Sequence, residues 1–185
     1  VSQVRDIRQR VDAREDPEQK RLSNIVFMGM GEPLANYDAL IKSLEIILDT
    51  DFGLKFSARR VTVSTCGLVP QIRQLGEDTD VNLAISLNAT DDETRSRLMP
   101  VNNRYPLDEL LSACQDFTMK PRDKITFEYI LIRDVNDSVA DARKLVKLLR
   151  PIKAKVNLIP FNEHPESEFK RPSEKTIQAF LTVLL

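Results

Sequence analysis

Apolar and polar residues follow one another along the chain in a pattern that predicts five strands, each followed by a helix. The strands are short apolar segments rich in β-branched residues, at positions 24–28, 60–65, 81–87, 125–132 and 155–159. The helices show an apolar helical repeat, at positions 37–48, 69–75, 107–117, 138–149 and 173–185. A further amphipathic helix starts at Val1 and continues its apolar face through Val4, Ile7 and Val11. This succession predicts an α/β fold with a parallel sheet of about five strands and outer helices.

The pattern leaves two architectures open, because repeated strand–helix units can close toward a barrel or remain an open, doubly wound sheet. In both architectures ligands bind at the carboxyl ends of the strands. The loops at those ends read GMGEP, STCG, SLNAT, RDVND and IPFNEHP, and most carry glycines or small polar residues. Loops at the opposite ends, such as GEDTD and KPRDK, lack converging polar side chains of this kind. We therefore expect the functional site at the carboxyl ends of the strands.

The loop after the first strand combines Gly29, Gly31 and Glu32. Its glycines match the start of a GxGxxG dinucleotide fingerprint, but Leu34 stands at the third glycine position and Pro33 removes a backbone donor, so the motif fails. Glycines at these positions would let the backbone approach a ligand closely, and the Glu32 carboxylate could meet a cationic group. A plain strand-to-helix turn explains the pentapeptide equally well.

Polar residues at the other strand ends also have a functional and a structural interpretation. Ser64 could end its strand through a local hydrogen bond, and Asn162 could form a turn between prolines. Ser86 and Asn88 stand on either side of Leu87, so both side chains point into a site or into a buried polar network. None of these residues identifies a function by itself.

Composition narrows the class of protein. The chain has 185 residues, of which 42% are hydrophobic and 30% are charged, and this composition predicts a globular cytoplasmic protein. Its formal net charge of −1 gives no general affinity for nucleic acid. No apolar run approaches the roughly 20 residues of a membrane span, so a membrane partner is not expected. Cys66 and Cys114 have no CxxC or CxxxC partner, so we expect small buried residues and not metal ligands.

Five segments, in order, closely resemble the radical S-adenosylmethionine (SAM) RNA methyltransferases. They are NIVFMGMGEPLANYDAL, RRVTVSTCGLVPQIRQLG, LAISLNATDDETRSRLMPVN, FEYILIRDVND and KVNLIPFN, and the resemblance covers essentially the whole chain. Members of this family methylate carbon 2 of an adenine in 23S ribosomal RNA, and some also a tRNA adenine beside the anticodon, through a methyl-cysteine intermediate. The resemblance implies a partial (β/α) radical-SAM barrel. It would be one incomplete domain over residues 1–185, cut at both ends and lacking its first strand.

The resemblance also implies roles for the residues at the strand ends. Gly31 and Glu32 would contact the methionine part of S-adenosylmethionine, with Glu32 near the α-ammonium group. Ser64 would meet the carboxylate or the ribose end of the cofactor. The remaining contacts would come from Ser86, Leu87, Asn88 and Asn162.

Other functional groups of this family have no counterpart in the sequence. The [4Fe-4S] cluster is held by a CxxxCxxC motif, expected upstream of Val1, and the methyl-carrying cysteine is expected beyond Leu185. No catalytic or metal-binding residue is therefore assigned, and we expect the chain alone to be inactive. The complete enzyme would act on 23S rRNA, in some members on tRNA, and would need an electron donor to the cluster. A carbon-8 adenine methyltransferase of the same superfamily and a non-catalytic, ligand-binding α/β protein remain alternatives.

Overall fold

The computed structural model describes residues 1–12, 22–117 and 124–185, which form a parallel sheet packed against helices. The strands of this part of the chain are β1 Ile25–Phe27, β2 Val61–Thr65, β3 Asn82–Ser86, β4 Ile125–Leu131 and β5 Ala154–Pro160. They lie in the order β1-β2-β3-β4-β5, and every neighbouring pair is parallel. The predicted α/β fold with a parallel sheet of about five strands is confirmed.

The helices largely follow the predicted pattern. In the described ranges the α-helices are α1 Ser2–Asp12, α2 Tyr37–Leu48, α3 Val69–Asp78, α4 Asp92–Leu98, α5 Leu107–Asp116, α6 Val139–Leu149 and α7 Glu174–Leu184. Short 3₁₀-helices lie at Pro33–Asn36, Ala58–Arg60 and Pro100–Asn103. Ser138 and Ser173, predicted as the first residues of helices, instead cap α6 and α7, since each side chain accepts a hydrogen bond from a backbone N–H of the first turn.

Helix α4 is absent from the sequence-based prediction. Its residues DETRSRL include a single leucine, so no apolar repeat marks the helix. The Asp91 side chain caps it by accepting a hydrogen bond from the backbone N–H of Thr94 at 2.9 Å. Asp92 and Glu93 occupy the first turn, where negative charge is favourable. The capping residue and the acidic first turn were the signals that could have predicted this helix.

The hydrophobic core lies between one face of the sheet and the helices. Alternate residues of β4, namely Ile125, Phe127 and Tyr129, are fully buried in this core. Ile72 of α3 and Leu110 of α5 are buried in the same cluster. Because side chains alternate along a strand, the intervening residues of β4 point to the other face of the sheet.

The face of the sheet opposite the hydrophobic core is more exposed at the outer strands of the described sheet, β1 and β5. Val26 of β1 is 57% exposed. Burial alternates along β5, where Lys155, Asn157 and Ile159 are exposed. Only one side of β1 and of β5 therefore packs against the core.

Two further points from the sequence concern the KPRDK turn and membrane-spanning helices. The KPRDK turn lies outside the described residues, apart from Lys124. No helix in the described ranges 1–12, 22–117 and 124–185 is long and apolar enough to cross a membrane.

Candidate cofactor-binding site

Glu32 joins the loop after β1 to the loop after β2. One carboxylate oxygen, Oε1, accepts a hydrogen bond from the backbone N–H of Leu34 at 3.0 Å, which caps the 3₁₀-helix Pro33–Asn36. The other oxygen, Oε2, accepts from the backbone N–H of Cys66 at 2.7 Å. Charge-assisted bonds of this length are among the stronger hydrogen bonds in proteins. Both loops are therefore held at the same end of the sheet by a single side chain.

The glycines of this loop leave open space beside the backbone. Gly31 has a φ angle of 91°, in the region that disfavours residues with a side chain. A Cβ atom added at Gly29 or Gly31 would meet no heavy atom within 4 Å. The loop can therefore present its backbone directly to a ligand, as the sequence-based interpretation requires.

Ser64 meets a carboxylate that the sequence analysis did not single out. The Ser64 hydroxyl donates a hydrogen bond to Oε2 of Glu128 at 3.3 Å, and the two residues are 7% and 8% exposed. Ser64 lies near the end of β2, and Glu128 lies in the middle of β4. A carboxylate inside the apolar run FEYIL was the available signal, because such residues are rarely buried without a partner.

Ser86 and Leu87 contribute to the site in different ways. Ser86, at the end of β3, pairs in register with Glu128 and is partly exposed. The Leu87 side chain is 0% exposed and belongs to the hydrophobic core. Any contact between Leu87 and a ligand would therefore involve its backbone.

Asn88 uses its side chain and its backbone to connect β3 to the strand and loop that follow. Its φ angle is 58°, a left-handed conformation that asparagine tolerates better than most residues. Its Oδ1 accepts from the backbone N–H of Ile130 at 2.9 Å, and its Nδ2 lies 3.2 Å from the sulfur of Met99. Its carbonyl accepts from Nδ2 of Asn136 at 2.7 Å. The buried polar network that the sequence analysis offered as one interpretation is present at this residue.

Arg95 is a second residue that the sequence analysis missed. It is 0% exposed and donates to the carbonyls of Leu87, Cys66 and Ser86 at 3.1, 2.7 and 3.3 Å. It also donates to Oδ1 of Asn102 at 2.9 Å. Burial lowers the pKa of this guanidinium, and the hydrogen bonds offset part of the cost of burying the charge. Arg95 therefore connects the end of β2 to the end of β3 by hydrogen bonds.

The two cysteines differ in burial, and both have a raised pKa. Cys114 is fully buried as expected, and burial raises its pKa to about 12. Cys66 is only partly buried, so the expectation of a buried residue is wrong for it. Burial, followed by the hydrogen bond and the charge of Glu32, raises the pKa of Cys66 to about 12. Among residues 1–12, 22–117 and 124–185, no group of three or more His, Cys, Asp or Glu could hold a metal ion.

Asn162 is exposed and lies just beyond the end of β5. Its loop is attached to the sheet because the backbone N–H of Phe161 donates to the carbonyl of Leu131 at 2.9 Å. It is also attached to the loop after β4, since the N–H of Arg133 donates to the carbonyl of Lys170 at 2.9 Å. Within the described residues no hydrogen bond links Asn162 to the other predicted site residues.

Hydrogen bonds thus bring most of the predicted residues to one end of the sheet. Glu32 is connected to the β2 end, and Arg95 connects the β2 end to Ser86 and Leu87. The arrangement offers acceptor groups, exposed glycine backbone and a nearly buried carboxylate. It can bind a ligand that carries both cationic and hydroxyl donors.

The profile of the radical SAM superfamily matches residues 2–146, which include β1 to β4 and the loops that follow them. The chain belongs to this superfamily. A domain of a pyruvate-formate lyase-activating enzyme from Bacteroides vulgatus, at 20% identity and a TM-score of 0.65, has the same fold.

Proteins with higher identity to this chain are named as methyltransferases. The chain is 61% identical over 166 residues to the dual-specificity RNA methyltransferase RlmN of Desulfosudis oleivorans, a match that covers 90% of this chain and 45% of that protein. The protein of the same name from Syntrophotalea carbinolica is 60% identical, over 89% of this chain and 44% of the relative. A radical SAM methyltransferase from Sphaerobacter thermophilus superposes with a TM-score of 0.88 at 44% identity, covering 99% of this chain and 52% of that one. The chain spans about half the length of the curated relatives it matches.

Proposed function

We propose that this chain forms the cofactor-binding part of a radical SAM RNA methyltransferase that methylates carbon 2 of an adenine in 23S rRNA. The proposal includes a tRNA adenine near the anticodon as a second substrate, which the family resemblance implies for some members and with which the name of the relatives, dual-specificity RNA methyltransferase, agrees. The single observation that carries the proposal is the 61% identity to such an enzyme across 90% of the chain. A carbon-8 methyltransferase would share this fold and cofactor, so the position of the new methyl group distinguishes the two.

The strand-end residues fit S-adenosylmethionine in chemical type. Gly31 offers its backbone to the methionine part of the cofactor, and the Glu32 carboxylate attracts the α-ammonium group. Ser64, Ser86 and the backbone of Leu87 line the neighbouring strand ends.

Two further predicted contacts extend this proposed pocket. Asn88 is held between β3 and β4, and Asn162 lies on the exposed loop after β5. In this proposal the two residues border the cofactor without contacting each other.

We propose that the ligands of the [4Fe-4S] cluster and the methyl-carrying cysteine lie outside this chain, as the family resemblance implies. When bound, the cluster supplies the electron that starts the radical chemistry, received in turn from a separate electron donor. This chain's own residues bind and orient the cofactor. The chain by itself is proposed to be inactive, and a ligand-binding role without catalysis is the competing hypothesis.

A chimeric enzyme tests the proposal. The segment of the Desulfosudis oleivorans relative that matches this chain is replaced by the corresponding residues of this chain, and the purified chimera is supplied with its cluster, a reductant and RNA. We expect 2-methyladenosine in 23S rRNA fragments and in tRNA, measured by mass spectrometry of the digested nucleosides. A chimera carrying Glu32→Ala is the matched control and should lose methylation while keeping its circular dichroism spectrum.

Each outcome of this assay has a distinct meaning. Formation of 8-methyladenosine would contradict methylation at carbon 2 and indicate the carbon-8 reaction. A folded chimera that binds S-adenosylmethionine but methylates neither RNA would contradict the proposed function and favour the non-catalytic hypothesis. The unaltered relative, assayed in parallel, establishes that the RNA and the reductant are competent.

A further inference from the structure

Helix α6 presents a row of basic side chains on its outer surface. Its inner face packs into the hydrophobic core through Ala142 and Leu145. Arg143 and Lys147 in the helix, and Arg150 at its C-cap, are exposed. Their spacing of four and three residues places all three within about a sixth of the helix circumference. We call these three residues the basic stripe.

The charges of the basic stripe are not neutralised by the protein. Lys144, in the same helix, forms ion pairs with Asp91 at 4.0 Å and with Asp141 at 3.7 Å. Asp141 is the only acidic residue of α6. No hydrogen bond or ion pair connects the side chains of the stripe to other residues in the described part of the chain. The stripe is therefore open to an anionic partner.

The helix dipole explains only part of this arrangement. Basic residues are favourable near the C-terminal end of a helix, which accounts for Lys147 and Arg150. Arg143 lies in the second turn, where the dipole gives no such advantage. Helix α5, by contrast, carries three acidic residues and no basic one. Positive charge is thus concentrated on α6, although the chain as a whole has a formal net charge of −1.

The basic stripe begins close to the proposed cofactor site. Helix α6 follows the loop after β4, so its first turn lies at the carboxyl end of the sheet. The ion pair of Lys144 with Asp91 places the second turn of α6 beside the loop after β3. From there the stripe runs along the outer surface toward the opposite end of the sheet. A polyanion that reaches the site can continue along this helix.

A row of positive charges without an apolar centre fits RNA better than a protein partner. Along the helix axis the charged residues are about 6 and 4.5 Å apart, so each long side chain can reach a different phosphate of one strand. A protein interface usually has an apolar centre. The exposed valines of α6, Val139 and Val146, lie two turns apart and form no continuous apolar patch.

We propose that Arg143, Lys147 and Arg150 bind the phosphate backbone of the RNA substrate, outside the site where the adenine is methylated. This inference rests on the proposed function for the identity of the partner. Phosphate contacts position a nucleic acid without reading its bases. The basic stripe therefore orients the RNA and adds affinity, and it leaves the choice of adenine to the site itself.

RNA binding by the chimera at several salt concentrations tests the stripe. The probe is a fluorescently labelled fragment of 23S rRNA, and binding is followed by fluorescence anisotropy. The triple variant Arg143→Gln, Lys147→Gln and Arg150→Gln should bind about tenfold more weakly at roughly 50 mM salt. The slope of log Kobs against log salt should become less steep by about 2, because each lost phosphate contact removes roughly 0.7–0.9 from it. In the methylation assay KM for RNA should rise while kcat stays unchanged.

A second triple variant is the matched control, because it removes the same charge elsewhere. Arg5→Gln, Lys42→Gln and Lys55→Gln change exposed residues of α1, α2 and the loop after α2. These elements adjoin β1 and β2, whereas α6 connects β4 to β5 at the other side of the sheet. The control should bind RNA with the affinity and salt slope of the unsubstituted chimera.

The results that overturn the inference are distinct from one another. Equal losses in the two triple variants would mean that net charge alone matters. Weaker binding with an unchanged salt slope would mean that the stripe does not contact phosphates. Unchanged RNA binding together with slower reduction of the cluster by an acidic electron-donor protein would make the stripe a protein-docking surface.

Two further checks keep the outcome clear. If the triple variant of the stripe loses its cooperative thermal transition, the three single variants are measured instead, and each should reduce the salt slope by roughly 0.7–0.9. Unchanged slopes in all three would overturn the inference. An unsubstituted chimera that neither binds nor methylates RNA would overturn the proposed function as well, whereas an abnormal variant pattern overturns the inference alone.

Discussion

The carboxylate of Glu32 accepts a hydrogen bond from the backbone N–H of Cys66 at 2.7 Å, across a separation of 34 positions in the chain. This contact joins the glycine loop after β1 to the loop after β2. A carboxylate that also bonds Leu34 has lone pairs left for a ligand, because two oxygens offer about four acceptor positions. Glu32 therefore both builds the site and remains able to bind a cationic group.

Glu32→Ala should lower the free energy of unfolding by about 1–2 kcal/mol, because two backbone N–H groups lose a charged acceptor. Chemical denaturation with urea measures the change. Glu32→Gln is the control, since it keeps one carbonyl oxygen and should lose about half as much. Equal stability of Glu32→Ala and the unsubstituted chain would mean that the two loops are held by other contacts.

Arg95→Met should be far more destabilising, by roughly 3 kcal/mol or more, because the carbonyls of Leu87 and Cys66 and Oδ1 of Asn102 each lose a charged donor. The matched control is Arg97→Ala in the same helix. Arg97 forms an exposed ion pair with Glu168 at 3.5 Å, so its loss should cost at most about 1 kcal/mol. Similar midpoints of thermal unfolding for the two variants would contradict the role given to Arg95.

Gly67→Ala should destabilise the fold by about 1–3 kcal/mol, whereas Gly29→Ala should change stability little. Gly67 has a φ angle of 116°, and a Cβ atom there would lie 3.2 Å from Nη2 of Arg95 and 3.3 Å from a methyl group of Leu110. Gly29 has open space around its added Cβ. Differential scanning calorimetry of the pair tests the difference, and equal melting temperatures would show that the Gly67 loop adapts.

Cys66 should react slowly with iodoacetamide at pH 8 in the folded chain and much faster in urea. Its pKa of about 12 leaves little thiolate at that pH, although the residue is partly exposed. A raised pKa in the folded state stabilises the fold below the unfolded pKa. That contribution is lost as pH rises toward 12. Peptide mass spectrometry follows the labelling, and equal rates in the two conditions would contradict the shift.

Local patterns predicted the order of elements well. Helix α2 has the predicted bounds, because Tyr37, Leu40, Leu44 and Ile47 repeat at helical spacing and pack against the core. The predicted strands differ from the observed ones by at most one residue at each end, as expected where pairing with a neighbour decides the boundary. Helix α4 was missed because its stability comes from its cap and from Arg95, not from an apolar stripe.

Only some residues of the candidate site could be predicted from the sequence, because the others depend on partners that are distant along the chain. Gly31, Glu32, Ser64 and Ser86 stand beside strand ends, so their place follows from topology alone. Glu128 and Arg95 act through partners that are distant in sequence, such as Ser64 and Cys66. No spacing rule connects residues separated by 64 positions. Their roles emerge only when the strands are placed side by side.

The sequential strand order has a consequence for how the chain is built. In the described sheet each strand lies beside the one made just before it, from β1 to β5. A growing polypeptide can therefore add one strand–helix unit at a time to an existing template as it leaves the ribosome. No segment has to wait for a partner synthesised much later, which shortens the time that unpaired strand edges are open to aggregation.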